Sequence, residues 1–71
     1  MVVLDLKGLK CPLPVLKTQK AMKPLDNGAL VEVTTTDPLA VIDIPVFCNE
    51  HGHELVSVME HDESHIFVLK K

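Results

Sequence analysis

A strand-like segment followed by a proline that can begin a helix occurs twice in this chain, and this order favours an α/β fold. In the first unit, residues 2–6 alternate apolar and mixed side chains, as a short strand does. Pro12 then suits a first helical position, because its missing N–H costs nothing there and its φ is already helical. The helix is predicted to end near Met22 or Lys23, and its core-facing positions recur at intervals of three or four: Val15, Thr18, Met22 and Leu25.

The second unit has the same organisation and begins with the β-branched, alternating segment 29–36. Asp37-Pro38 predicts a helix start, with the aspartate as N-cap and the proline in the first turn. We expect this helix to run to about His51 and to end at Gly52 in the left-handed conformation. Because Pro45 removes one hydrogen bond inside it, a kink or a short 3₁₀ stretch is predicted there.

Two further strands are predicted at residues 54–60 and 64–70, joined by a hairpin-sized polar turn. The order is then β-α-β-α-β-β, and right-handed crossovers would place both helices on one face of the sheet. The sequence therefore predicts a single domain over residues 1–71, a two-layer α/β sandwich with a four-stranded mixed sheet. Val56 and Val58 indicate that the uncovered sheet face is not wholly polar. This face is either ordinary exposed surface or the contact of a weak dimer.

Composition excludes several classes of protein. With 46% apolar and 24% charged residues the chain is globular rather than disordered. No apolar run approaches the ~20 residues of a membrane span, and the start Met1–Asp5 lacks the basic region of a signal peptide. Two cysteines are too few for a disulfide-stabilised mini-protein, so we expect a cytoplasmic protein without membrane partners. A net charge of −3 and 3% aromatic residues argue against direct nucleic-acid binding.

Cys11-Pro12-Leu13-Pro14 is the most informative segment, because it places a thiol at the predicted N-cap of the first helix. There the helix dipole favours the thiolate, and Lys10, together with Lys7 if the loop folds back, acts in the same direction, so the pKa of Cys11 is expected to be lowered. The prolines predict a stiff loop that presents the sulfur to another protein. Because position 14 is not a second cysteine, thioredoxin-like exchange is disfavoured. A buried or capping cysteine is the alternative, although cysteine is a poor N-cap.

The second cysteine and the histidines fit simple structural roles. Cys48 is predicted to pack in the core as an inert thiol. Its spacing to His51 and His53 does not match a zinc site, so no metal is expected, and His51 simply complements the negative end of the second helix. Asp5 and Asp43 could orient groups near the Cys11 thiol.

The face of the first helix opposite the core positions is a candidate docking surface. Leu13, Leu16, Lys17 and Lys20 recur at helical spacing on that face, beginning two residues after the thiol. Residues 1–23 also carry five lysines, including Lys10, against one acid. This pattern predicts partners with acidic, partly apolar surfaces, unless the two leucines are incidentally exposed.

These motifs together resemble the TusA/SirA-like sulfur-carrier family. The resemblance begins with Leu4–Pro14, which holds the Cys-Pro-x-Pro motif, and continues through Asp37-Pro38, Asp43–Cys48 and Gly52–Leu55. It implies the fold of the C-terminal domain of translation initiation factor three, with the fourth strand antiparallel to the others. It also implies a stoichiometric carrier that holds sulfur as a persulfide on Cys11 and needs no other cofactor.

The resemblance also implies partners. A cysteine desulfurase or rhodanese would donate the sulfur, and an acceptor protein would take it for tRNA thiolation, molybdenum-cofactor supply or sulfur oxidation. Leu13 stands where the tRNA-thiolation branch commonly has an acid, which leaves the pathway open. Two other readings stay open: a cysteine-dependent regulatory or interaction module that moves no sulfur and, by fold analogy alone, an RNA-binding domain.

Overall fold

The computed structural model describes all 71 residues and contains six elements in the predicted order. Neither helix has the length and apolar character needed to cross a lipid bilayer. The predicted β-α-β-α-β-β order is therefore confirmed, with these bounds: β1 Val2–Asp5, α1 Leu13–Met22, β2 Leu30–Thr35, α2 Ala40–His51, β3 Glu54–His61 and β4 Ser64–Lys70.

The four strands form one mixed sheet in the order β1-β2-β4-β3. Strand β1 is parallel to β2, and β4 is antiparallel to both β2 and β3, as the family resemblance implied. One cluster of buried side chains joins the sheet residues Val33 and Phe67 to Met22 of α1 and Ile44 of α2. Both helices therefore cover the same face of the sheet, and the predicted two-layer sandwich is confirmed.

The second helix begins two residues later than Pro38 because its first turn is wound more tightly than an α-helix. Ala40 N–H donates to the Asp37 carbonyl at 3.1 Å, a contact three residues apart. The Asp37 carboxylate still accepts the Leu39 N–H at 3.1 Å, so it makes the predicted capping contact. The helix runs continuously through Pro45, without the predicted 3₁₀ stretch, and ends at Gly52 with φ of 71°.

The open face of the sheet differs in one respect from the prediction. An irregularity between Leu55 and Ser57 changes the strand register, and beyond it Val58 stands opposite the buried Phe67. Val58 therefore lies on the helix-covered side of the sheet, although it is half-exposed at the edge. The exposed apolar residues Val3 and Met59 remain on the open face, and association through it stays a prediction.

The end of α1 is held by the last residue of the chain. Lys71 Nζ donates to the carbonyls of Met22, Lys23 and Leu25 at 2.9, 2.9 and 2.7 Å. A cation here satisfies carbonyl groups that have no partner inside the helix and complements the negative end of its dipole.

We expect Lys71→Met to lower the free energy of unfolding by about 1–3 kcal/mol, because three charge-assisted hydrogen bonds are lost. Urea denaturation of the purified protein measures this loss. Lys70→Met is the matched control, because the exposed Lys70 side chain makes no hydrogen bond. Equal midpoints for the two variants would show that the Lys71 contacts do not stabilise the helix end.

Candidate functional site

The thiol loop and the start of α2 lie side by side because β1 and β2 are parallel neighbours. The carboxyl ends of such strands share one edge of the sheet, and the loops that follow them therefore meet there. Leu6 N–H donates to the Thr34 carbonyl at 2.8 Å, extending the pairing past the end of β1. Gly8, whose φ of 86° suits glycine, donates its N–H to Thr36 Oγ1 at 3.0 Å.

Asp37 joins these two loops through its buried carboxylate, which is 7% exposed. One oxygen accepts the Cys11 N–H at 2.5 Å, and the other accepts the Leu39 N–H at 3.1 Å. The backbone N–H of Asp37 in turn donates to Thr35 Oγ1 at 3.1 Å. Asp37 thus fixes the backbone of Cys11 relative to α2. The sequence predicted the cap but not this second contact, which joins residues 26 positions apart.

The prediction that Cys11 is the N-cap of α1 is wrong. The helix begins at Leu13 with Pro12 as its N-cap, and no side chain caps it. The Cys11 N–H is held by Asp37, and Leu13 N–H donates to the Lys10 carbonyl at 2.8 Å. Because Pro12 and Pro14 have no N–H, two donors that the start of a helix usually offers are missing beside the thiol.

The predicted lowering of the thiol pKa is also wrong. Cys11 is exposed, and its Sγ donates a hydrogen bond to Asp43 Oδ2 at 2.9 Å. This hydrogen bond raises the pKa of Cys11, and partial desolvation and the negative charges of Asp43 and Asp37 act in the same direction. The predicted lowering of the Cys11 pKa by Lys7 and Lys10 is not found, and Lys7 instead pairs with Asp5 at 3.9 Å. Of the two acids expected near Cys11, only Asp43 contacts it.

The residues of the Cys-Pro-Leu-Pro motif divide into presenting and anchoring positions. Pro12 and Leu13 are exposed beside the thiol, whereas Pro14 is fully buried. The Pro14 carbonyl accepts the hydroxyl of the buried Thr18 at 2.7 Å, one turn further along α1. Pro14 therefore anchors the start of the helix in the core rather than presenting the sulfur. Burial of Thr18 and Met22 confirms the predicted core-facing side of α1.

The candidate docking residues all lie on the surface. Leu16 is 51% exposed, and Lys10, Lys17 and Lys20 are exposed. An open groove runs between the two helices beside this face, with Cys11 in its lining. The α1 side of the groove carries no acid, whereas the α2 side contributes two: Asp43 and Glu50.

The second cysteine lies in the core, whereas His51 lines the same groove as Cys11. Cys48 is 2% exposed, as predicted, and burial raises the pKa of its thiol. His51 Nδ1 lies 3.1 Å from the Phe47 carbonyl in the last turn of α2, which fits its expected place at the negative helix end. Its ring stacks near that of His53, with centroids 6.1 Å apart. No group of three or more histidine, cysteine or acidic side chains has the arrangement of a metal site.

Comparison with known proteins shows the family of this chain. The family model described as "Sulfurtransferase TusA" matches residues 2–71. The chain belongs to the TusA family. It is 39% identical over 69 residues to the sulfur carrier protein TusA of Pseudomonas putida W619, covering 97% of this chain and 86% of that protein. It is 37% identical to the sulfur carrier protein TusA of Allochromatium vinosum, covering 96% and 90% of the two chains.

The TusA-family fold is supported by a solved structure as well. A SirA-like protein from Desulfitobacterium hafniense superimposes with a TM-score of 0.83 at 25% identity, covering 99% of this chain and 95% of that one. The family resemblance seen in the sequence is therefore confirmed.

Proposed function

We propose that this TusA-family protein is a sulfur carrier that accepts sulfane sulfur as a persulfide on Cys11 and passes it to an acceptor protein. The observation that carries the proposal is the placement of Cys11: its thiol is exposed, while Asp37 fixes its backbone. A sulfur atom presented in this way can reach a partner's active site. The curated relatives named as sulfur carriers support the same role.

The proposed chemistry needs no cofactor and no net oxidant. The Cys11 thiolate attacks the outer sulfur of a persulfide on a cysteine desulfurase or rhodanese, and a new S–S bond forms at Sγ. The S–S bond of the donor breaks, and the donor cysteine leaves as a thiolate with the electron pair. In the second half-reaction an acceptor thiolate attacks the outer sulfur on Cys11 and releases the Cys11 thiolate. Such a stoichiometric carrier fits the reducing cytoplasm and any of the tRNA-thiolation, molybdenum-cofactor or sulfur-oxidation routes.

Incubation of the reduced protein with a cysteine desulfurase and cysteine tests this function. We expect intact-mass spectrometry to show a gain of one sulfur atom that a reductant reverses. A regulatory or interaction module that moves no sulfur would show no gain under the same conditions.

The lysines of α1 give a prediction about docking. Lys17→Glu with Lys20→Glu should slow sulfur loading several-fold at low salt, because reversed charges weaken attraction to an acidic partner surface. The fold should stay intact, since both side chains are exposed. Lys70→Glu, on β4 and outside the proposed face, is the matched control for the single variants Lys17→Glu and Lys20→Glu, which carry the same change in net charge. Equal loading rates for the three single variants would contradict docking through α1.

A further inference from the structure

The contact between Cys11 and Asp43 is the feature of the site that sulfur carriage alone does not explain. The Asp43 carboxylate is partly buried, and within the chain its side chain has one hydrogen-bond partner, the Cys11 thiol. None of the seven lysines forms an ion pair with it, and the single lysine–acid pair of the protein joins Lys7 to Asp5. A carboxylate without an ion-pair partner therefore lies 2.9 Å from the sulfur that has to react.

This arrangement opposes the chemistry that a carrier needs. The thiolate is the nucleophile in sulfur exchange, and a neighbouring negative charge favours the protonated thiol instead. Asp37 cannot offset the effect, because it is itself an acid and both its oxygens are engaged by backbone N–H groups. In the free protein the contact with Asp43 consequently lowers the thiolate fraction of Cys11, although this thiol is exposed to solvent.

The groove between the helices leaves Asp43 accessible to a partner. Asp43 and Cys11 line the same open groove, together with Val46, the acidic Glu50 and the titratable His51. Because neither acid has an ion-pair partner in the chain, this side of the groove is complementary to a cation. A lysine or arginine side chain that paired with Asp43 would neutralise the charge beside Sγ and compete with the S–H hydrogen bond.

We propose that the Asp43 carboxylate suppresses ionisation of the Cys11 thiol in the free carrier, and that a lysine or arginine side chain of the sulfur donor relieves this suppression by pairing with the carboxylate. The inference rests on the proposed sulfur-carrier function and adds its regulation. On docking, the cation pairs with Asp43 and the Sγ proton passes to solvent. The thiolate then attacks the outer sulfur of the donor persulfide, and the donor thiolate leaves with the electron pair and takes up a proton from solvent.

Suppression of the thiolate by Asp43 is tested in the free protein by the rate of alkylation with iodoacetamide as a function of pH. Asp43→Asn should lower the pKa of Cys11 and raise the rate at pH 7 several-fold. The gain in thiolate outweighs the accompanying fall in its intrinsic nucleophilicity. Glu50→Gln is the matched control, because it removes the same charge from the same groove without touching Sγ, and it should alkylate like the wild type. An Asp43→Asn rate equal to that of the Glu50→Gln control would show that Asp43 does not suppress ionisation of the Cys11 thiol.

Relief of this suppression by a cation is tested within the same chain. Val46 is 49% exposed, lies three residues after Asp43 on α2 and lines the groove, so Val46→Lys brings an ammonium group to the acid. Val46→Lys should raise the alkylation rate several-fold, and the neutral control Val46→Met should not. If Val46→Lys leaves the rate unchanged while Asp43→Asn raises it, release by a cation is wrong.

Loading by a cysteine desulfurase then tests the role of the donor. Asp43→Asn should load several-fold more slowly than the wild type at limiting carrier, because the ion pair is lost, even though its free thiol alkylates faster. Slower loading of Asp43→Asn together with faster alkylation supports a donor that acts through Asp43. Loading that becomes faster in proportion to alkylation contradicts such a donor. Alkylation involves no sulfur transfer. Failure of the wild type to load would therefore overturn the proposed function, whereas suppression of the thiolate by Asp43 is decided by the alkylation rates alone.

Discussion

Cys11→Ser is expected to reduce sulfur loading below detection, whereas Cys48→Ser should load to the same extent as the wild type. A serine hydroxyl forms no persulfide, and no other thiol of the chain is accessible to a donor. Cys48 is 2% exposed in the core, where burial raises the pKa of its thiol further. The two cysteines therefore differ in access to a donor, and we expect only Cys11 to carry sulfur.

The two serine variants control for each other in intact-mass measurements after incubation with a cysteine desulfurase. Cys11→Ser should retain the stability of the wild type, since the replaced side chain is exposed. Cys48→Ser places a hydroxyl in the core and is expected to be less stable, so its loading is measured well below its melting temperature. Loading of Cys11→Ser above the level without desulfurase would contradict the assignment of the carrier cysteine.

Asp37→Ala is expected to have the largest effect on the fold, lowering the free energy of unfolding by about 2–4 kcal/mol. The variant removes the acceptor of two N–H groups, those of Cys11 and Leu39, at a buried position. It also disconnects the thiol loop from the start of α2. Hydrogen exchange should therefore show loss of protection at the amides of Cys11 and Leu39, and urea denaturation measures the loss of stability.

Asp43→Asn is the matched comparison for this effect, because it changes an aspartate whose side chain makes a single hydrogen bond, to the thiol itself. Its stability should stay within about 0.5 kcal/mol of the wild type. If Asp37→Ala is no less stable than Asp43→Asn, or if the Leu39 amide keeps its protection, the Asp37 carboxylate does not hold the loop in place.

The order of elements could be predicted because it depends on local patterns. The alternation of residues 29–36 and the helical spacing of Val15, Thr18 and Met22 are determined by which side chains face the core, and the structure places them accordingly. Gly52 ends α2 because glycine adopts its φ of 71° without strain. These features need no knowledge of distant residues.

The environment of the thiol could not be predicted in the same way, because it is created by tertiary contacts. Asp43 lies 32 residues from Cys11 along the chain, and their contact reverses the direction of the pKa shift expected from the helix dipole. The N-cap assignment was wrong by one residue, since Pro12 is the N-cap, and the bond of the Cys11 N–H to Asp37, 26 residues away, had no local signal. Val58 was placed on the wrong face because the irregularity in β3 that changes its register leaves no clear signal in the sequence.

The most direct test of sulfur carriage locates the transferred atom itself. The protein is loaded by a desulfurase from cysteine labelled with a heavy sulfur isotope, separated from the donor, digested without reductant and mapped by tandem mass spectrometry. We predict that the label lies on the peptide containing Cys11 and that cyanide releases it from the intact protein as labelled thiocyanate. Label on the Cys48 peptide, or no label on either cysteine, would contradict the account.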